Sequence, residues 1–155
     1  MARKILIGLV VVLILIQFIR PARNNGQAQT SNDITHVAAV PDSTLHLLQA
    51  ACYDCHSNHT TYPWYAEVNP VGLWLSNHVN EGKRELNFSE FATYEVKRKA
   101  HKMEEIAESV EKHDMPINSY LWIHNEARLS DAQRKQIIDW AKAVKSQFPA
   151  QSEGK

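Results

Sequence analysis

The sequence is short of the residues that mark several protein classes. Its 155 residues include two cysteines and five glycines, and no internal repeat is visible. The formal charge of zero lacks the strongly basic balance that is typical of nucleic-acid-binding proteins. No stretch alternates convincingly between apolar and polar residues, so β-strands are not expected. The sequence therefore predicts a single small all-α domain without a nucleic-acid partner.

Acidic residues are missing from the first 32 positions, where one long apolar run lies between basic residues. The run, residues 5–19, contains Gln17 as its one polar side chain. This is the pattern of an export signal or signal anchor, and no clear small-x-small cleavage site follows it. Residues 1–23 are therefore predicted to be an uncleaved, single-pass transmembrane anchor. The run is short for about 30 Å of hydrocarbon, but flanking arginine and lysine side chains can extend the span by snorkelling.

Beyond the anchor, composition and periodicity divide the rest of the chain. That part contains 13 of the 17 basic residues and all 17 acidic residues, so its net charge is near −4. Residues 24–40 are polar and aperiodic and are predicted to be a flexible linker, whereas residues 41–149 form the domain and residues 150–155 a disordered tail. Helical spacing of apolar residues predicts four helices. They lie at about residues 41–51, 68–81, 89–112 and 131–148, and the charges of residues 95–112 are interpreted as a solvated helix face.

One short motif carries recognisable chemistry. Residues 52–56, Cys-Tyr-Asp-Cys-His, have the attachment pattern of c-type haem, in which two thiols form thioethers with the vinyl groups and the next histidine binds the iron. Cys52 and Cys55 are therefore the predicted attachment sites, and His56 is the predicted proximal axial ligand. The predicted cofactor is one covalently bound haem c, inside a c-type-cytochrome-like bundle of about four helices.

The cysteine pair has other interpretations. A structural disulfide or a thioredoxin-like redox pair suits an exported chain, but the redox pair follows a strand, and no strand pattern precedes Cys52. A zinc site requires two further ligands at a recognisable spacing, and His59 alone does not complete one. Haem attachment is favoured over these alternatives.

Two residues compete for the second axial position on the iron. Met115, followed by a proline between the third and fourth predicted helices, can fold back over the opposite face of the haem as a soft ligand that favours reduced iron. His78, on the apolar stripe of the second predicted helix, is the alternative ligand, although a core histidine fits the same pattern. Met115 is favoured as this ligand.

Tyr62 and Trp64 are candidate walls of the haem pocket, and packing without haem contact explains them nearly as well.

From about residue 48 to residue 140, the chain resembles a bacterial family of small haem-binding domains, the monohaem c-type proteins. The matching stretches are residues 52–58, 62–65, 77–82 with 86–90, 114–116, and 124–127 leading into 129–130. The family commonly has an apolar anchor that ends in a Gln-Phe-x-x-Pro-like junction, as residues 17–21 do here. The resemblance implies haem binding and export, and it implies no established reaction.

The expected function is electron transfer by a membrane-anchored monohaem cytochrome of the bacterial cell envelope. Thioether attachment is completed outside the cytoplasm, which places the haem domain on the periplasmic side of the inner membrane. An unidentified redox partner protein is expected, and no catalytic residue is. The alternative is a haem-based peroxidase or small-ligand sensor, in which the distal ligand leaves the iron.

Overall fold

The computed structural model describes residues 1–148, and its secondary structure is almost entirely helical. The α-helices of these residues are α1 (Ala2–Ile16), α2 (Asp42–Ala51), α3 (Tyr53–His56), α4 (Val71–Glu85), α5 (Val96–Glu111), α6 (Asn118–Leu121) and α7 (Asp131–Lys145). Four 3-10 turns accompany them, at Ile34–His36, Trp64–Glu67, Phe88–Thr93 and Asn125–Ala127. The described part contains no β-strand and one isolated bridge, between Asn25 and His59.

The helical fold class is confirmed, whereas the expected count of about four helices is wrong. The four predicted helices correspond to α2, α4, α5 and α7. The count rises because α3 and α6 are four residues long, too short to leave a periodic pattern in the sequence. The predicted tail, residues 150–155, lies outside the described residues.

Side-chain caps are found at the start of α7 and at the start of the 3-10 turn that precedes α5. The Ser130 hydroxyl accepts from the Gln133 amide, and the Gln133 side chain accepts from the Ser130 amide, so the predicted capping box starts α7. The third predicted helix starts later than expected, at Val96. Asn87 caps the Ser89 amide instead, at 3.1 Å, and the chain first makes the 3-10 turn Phe88–Thr93.

The core lies between α5 and α7 and extends to α2 and the Phe88–Thr93 turn. Met103 of α5 and Ile137 of α7 are fully buried. Each contributes about 1.5–3 kcal/mol through burial of its side chain. This core holds the C-terminal end of α2, and with it the cysteine motif, in a fixed position.

Residues 24–40, predicted from their composition to be a linker, pack onto the domain. Ile34 and Asp33 are both fully buried. The Asp33 carboxylate accepts from the Tyr53 hydroxyl at 3.1 Å, and the Asn24 side chain donates to the Ser57 carbonyl at 2.9 Å. The polar residues that suggested a linker therefore make hydrogen bonds with the segment around the cysteine motif.

The first helix differs from the predicted anchor. All 15 residues of α1 lie outside the core, and paired amide hydrogen bonds between Gln17 and Asn69, of 2.9 and 3.0 Å, fix its C-terminal end. Within residues 1–148, no helix combines the length and apolar character needed to cross a membrane. The predicted transmembrane helix over residues 1–23 is thus not found, since α1 ends at Ile16 and measures about 22 Å against about 30 Å of hydrocarbon.

Candidate functional site

The cysteine motif forms a single turn at the end of α2. Cys52 lies between α2 and α3, and its carbonyl accepts from the amides of Cys55 and His56, at 3.2 and 2.9 Å. Both cysteines are free and partly buried. Burial raises the pKa of the Cys52 thiol to about 12 and that of the Cys55 thiol to about 11, so both are protonated at neutral pH. Reactive redox cysteines have lowered pKa values, which argues against the thioredoxin-like interpretation.

His56 is oriented by backbone carbonyls at the end of α4. Its Nδ1 lies 2.9 Å from the Gly82 oxygen and 3.1 Å from the Leu86 oxygen, so Nδ1 carries the hydrogen and donates to both. The lone pair of Nε2 is then free for a metal ion, the arrangement that metal-binding histidines adopt. Burial lowers the pKa of His56, which favours the neutral imidazole that binds metals.

Gly82 allows α4 to lie close to the cysteine motif. A Cβ atom at this position would lie 2.7 Å from the Cys55 carbonyl oxygen and 3.1 Å from the Cys55 Cβ. Such distances are shorter than normal contacts between these atoms. A glycine in α4 therefore lets α4 lie directly against the motif, with its carbonyl beside His56.

Cys52 and His56 border a cavity of about 320 Å³. This volume falls at the lower end of the range of small-molecule sites. Part of its lining is apolar and consists of Ala51, Leu86, Phe88, Ile106 and Val110. Charged side chains from the end of α4 and from α5 to Asp114 form the other part. A larger, open groove of about 660 Å³ between α2 and α7 contains none of the predicted site residues.

The structure brings Met115 to this cavity and leaves His78 outside its lining. Met115 lies at the cavity with 37% of its surface exposed. His78 is on α4, where its Nδ1 donates to the Trp74 carbonyl at 3.1 Å and its ring lies 4.2 Å from the Trp74 ring. Of the sequence-predicted residues, Cys52, His56 and Met115 therefore share one cavity, and Cys55 follows on the same turn.

The two candidate wall residues lie elsewhere. The Tyr62 hydroxyl accepts from the Asn24 amide at 2.9 Å, and the Arg23 guanidinium lies 4.4 Å from the centre of the Tyr62 ring. Trp64 is 80% exposed. Neither residue lines the cavity that Cys52 and His56 border.

The sequence analysis assigned several charged cavity residues to a solvated helix face, and the buried one among them is Lys102. Lys102 was included in a solvated helix face, yet it is 8% exposed, lines the cavity and pairs with Glu105 at 2.6 Å. Its neighbour Met103 is fully buried, so Lys102 lies at the edge of the apolar stripe of α5. This position in the sequence could have indicated that Lys102 is buried, because a long lysine side chain can cover apolar surface beside such a stripe.

The residues fit a haem better than a metal ion held by protein alone. Among residues 1–148, no group of three or more His, Cys, Asp or Glu side chains is placed to hold a metal ion, which leaves the zinc interpretation without ligands. An oriented imidazole with a free Nε2, a neighbouring cavity with one apolar wall and two thiols on one turn suit an iron that a porphyrin already holds.

Comparison with family models confirms the resemblance that the motifs indicated. Residues 11–143 match the model described as a haem-binding domain. No curated protein and no solved structure gives a significant match. The matched residues cover most of the chain, including the cysteine motif, the cavity and Met115. The chain therefore belongs to the haem-binding domain family.

Proposed function

We propose that the protein is a monohaem c-type cytochrome that transfers electrons, with the haem attached through Cys52 and Cys55 and its iron bound by His56 and Met115. The observation that carries the proposal is the orientation of His56. Two backbone carbonyls hold its Nδ1, and the ring borders the cavity that Cys52 and Met115 also line. The bound haem would supply the one-electron chemistry, and the protein supplies ligands, orientation and burial.

Each part of the site has a defined task. The Gly82 and Leu86 carbonyls fix the His56 ring, which limits ligand movement when the iron changes its charge. Leu86, Phe88 and Ile106 exclude water from one wall of the cavity. The Met115 thioether, as an iron ligand, would favour the reduced iron and raise the reduction potential.

We further propose that the domain works outside the cytoplasm of a bacterial cell and exchanges electrons with a partner protein. The proposal rests on chemistry, because thioether attachment is completed outside the cytoplasm. The apolar residues of α1 are exposed along its whole length, and we infer that they attach the domain to a membrane.

The second candidate is a haem-based peroxidase or a sensor of small ligands. Its support is the 37% exposure of Met115, which a leaving ligand would need. Carrier and sensor differ in one property: a carrier keeps its methionine bound in both oxidation states, whereas a sensor releases it.

Visible spectra of the protein made together with a haem-attachment system test the proposal. Native protein should retain its haem under conditions that extract unattached haem, and the double variant Cys52→Ala/Cys55→Ala should lose it. The oxidised protein should show the weak charge-transfer band at the red end of the spectrum that marks methionine ligation, and Met115→Ala should lose the band. His78→Ala, the matched control, should keep it.

Four results would contradict these assignments. Full extraction of haem from native protein would refute covalent attachment. Absence of the band from native protein would refute Met115 as ligand. A visible spectrum that then changes in His78→Ala and stays the same in Met115→Ala would transfer the role to His78. Rapid binding of carbon monoxide by native reduced protein would favour the sensor.

A further inference from the structure

Four polar side chains from separate parts of the chain form one connected cluster beside the cysteine motif. Asp54, between the two cysteines, accepts from the Tyr120 hydroxyl at 2.8 Å. The Tyr120 ring stacks on His124, with centroids 4.1 Å apart and planes within 10°. His124 Nε2 lies 2.9 Å from the Tyr65 hydroxyl, which donates to it. We call Asp54, Tyr65, Tyr120 and His124 the tyrosine–histidine cluster.

Two members of the cluster make further hydrogen bonds that hold them in place. The second carboxylate oxygen of Asp54 accepts from the Thr61 amide at 2.9 Å. His124 Nδ1 donates to Glu126 at 3.0 Å, which leaves Nε2 as the acceptor that the Tyr65 hydroxyl requires. Each hydrogen-bond donor of the cluster thus has an acceptor. The cluster fixes α6 against the turn that carries the cysteines.

In the sequence, Met115 lies between α5, which belongs to the core, and α6, which carries Tyr120 of the cluster. Its amide donates to the Ser109 carbonyl of α5 at 3.2 Å, and its carbonyl accepts from Arg134 of α7 at 3.0 Å. Two residues later, Ile117 immediately precedes α6, and its carbonyl accepts from the Tyr120 amide at 3.0 Å. The segment is therefore held at one end by α5 and α7 and at the other by the contact of Tyr120 with Asp54.

We propose that Tyr120, together with Asp54 and His124, positions Met115 at the haem cavity. These residues act through the segment and not on the iron. The proposal rests on the proposed function, since it assumes that Met115 is the distal ligand. It gives a role to Asp54, to Tyr65 at the end of the Tyr-Pro-Trp-Tyr stretch and to His124, none of which has a task in haem attachment.

The test compares haem-loaded native protein with Tyr120→Phe, Asp54→Asn and Met115→Ala. The charge-transfer band of the oxidised protein reports methionine ligation, and the rate of carbon monoxide binding to the reduced protein reports how often the methionine is off the iron. Tyr120→Phe removes a hydrogen bond to a carboxylate, so we expect the methionine-free population to rise about tenfold, with faster carbon monoxide binding and a weaker band.

Asp54→Asn is the conservative variant. Its amide oxygen can still accept from Tyr120, but the charge that strengthens the hydrogen bond is gone and one of the two acceptor oxygens is replaced by an NH₂ group. We expect a carbon monoxide rate between those of native protein and Tyr120→Phe, with Met115→Ala as the upper limit. If Tyr120→Phe does not accumulate, an Asp54→Asn rate above the native rate supports the proposal and a native rate overturns it.

Ser130→Ala is the control for general loss of stability. It removes the cap of α7, which does not belong to the cluster, and should lower the melting temperature without changing the band. If Tyr120→Phe also lowers only the melting temperature, the positioning role is wrong while methionine ligation stands. If native protein lacks the band, methionine ligation fails and the positioning proposal fails with it.

Discussion

The close contact at Gly82 gives a direct test of how the motif is oriented. Replacing Gly82 with alanine adds one Cβ atom that would lie 2.7 Å from the Cys55 carbonyl oxygen. The obstacle is backbone, which cannot rotate away as a flexible side chain would. Either α4 or the motif turn must move, and the hydrogen bond from His56 Nδ1 to the Gly82 oxygen, now 2.9 Å, must lengthen.

Two opposing effects set the size of the change. Alanine is favoured over glycine within a helix by about 0.5–1 kcal/mol, because glycine has more backbone freedom to lose on folding. Overpacking of a close contact costs about 1–3 kcal/mol. The steric effect should win, so the free energy of unfolding should fall by about 1–2 kcal/mol. For a chain of 155 residues this corresponds to a melting temperature lower by about 2–8 °C.

Thermal unfolding of haem-loaded protein, followed by circular dichroism, measures this change. Gly8→Ala in α1 is the matched control, since a Cβ there meets no atom within 4 Å. It has the same helix-propensity gain without the steric clash, so it should not lower the melting temperature of the domain. A Gly82→Ala protein as stable as the native one, or more stable, would mean that α4 does not lie against the motif as described.

Four further substitutions test other parts of the structure through urea unfolding of the haem-free chain. Tyr53→Phe should cost about 1–3 kcal/mol because it leaves an oxygen of the buried Asp33 carboxylate without a donor, and an unchanged midpoint would place this carboxylate in water. Met103→Ala should cost about 2–5 kcal/mol because this side chain is fully buried, and Met115→Ala should cost less than about 0.5 kcal/mol because this one is exposed. Equal costs for the two substitutions would contradict these positions. Ser130→Ala should cost about 0.5–2 kcal/mol through loss of the capping box, and no loss would mean that the cap does not form.

Features that depend on neighbouring residues could be predicted from the sequence. The cysteine motif occupies one turn, so its spacing alone determines which groups lie together. The long helices α2, α4, α5 and α7 each bury one stripe, and periodicity reports such a stripe directly. The capping box of α7 involves two side chains three residues apart and was equally visible.

Features that depend on distant partners could not be predicted. The carbonyls that orient His56 come from Gly82 and Leu86, 26 and 30 residues away, and a backbone carbonyl has no residue signature. Residues 24–40 suggested a linker because polar side chains usually face water, whereas Asn24 and Asp33 have partners within the protein. Such partners become visible only when the fold brings the two segments together.

Under the proposed ligation by Met115, how firmly this residue is held distinguishes the proposed carrier from the proposed sensor. A methionine that leaves the iron requires a segment that can move, and each hydrogen bond on that segment raises the cost of moving it. Met115 has two such bonds on its own backbone, to Ser109 and Arg134, and the contact of Tyr120 with Asp54 holds the chain five residues later. This arrangement favours a ligand that stays bound in both oxidation states. Rapid electron transfer needs the same rigidity, because little then has to rearrange when the iron changes its charge.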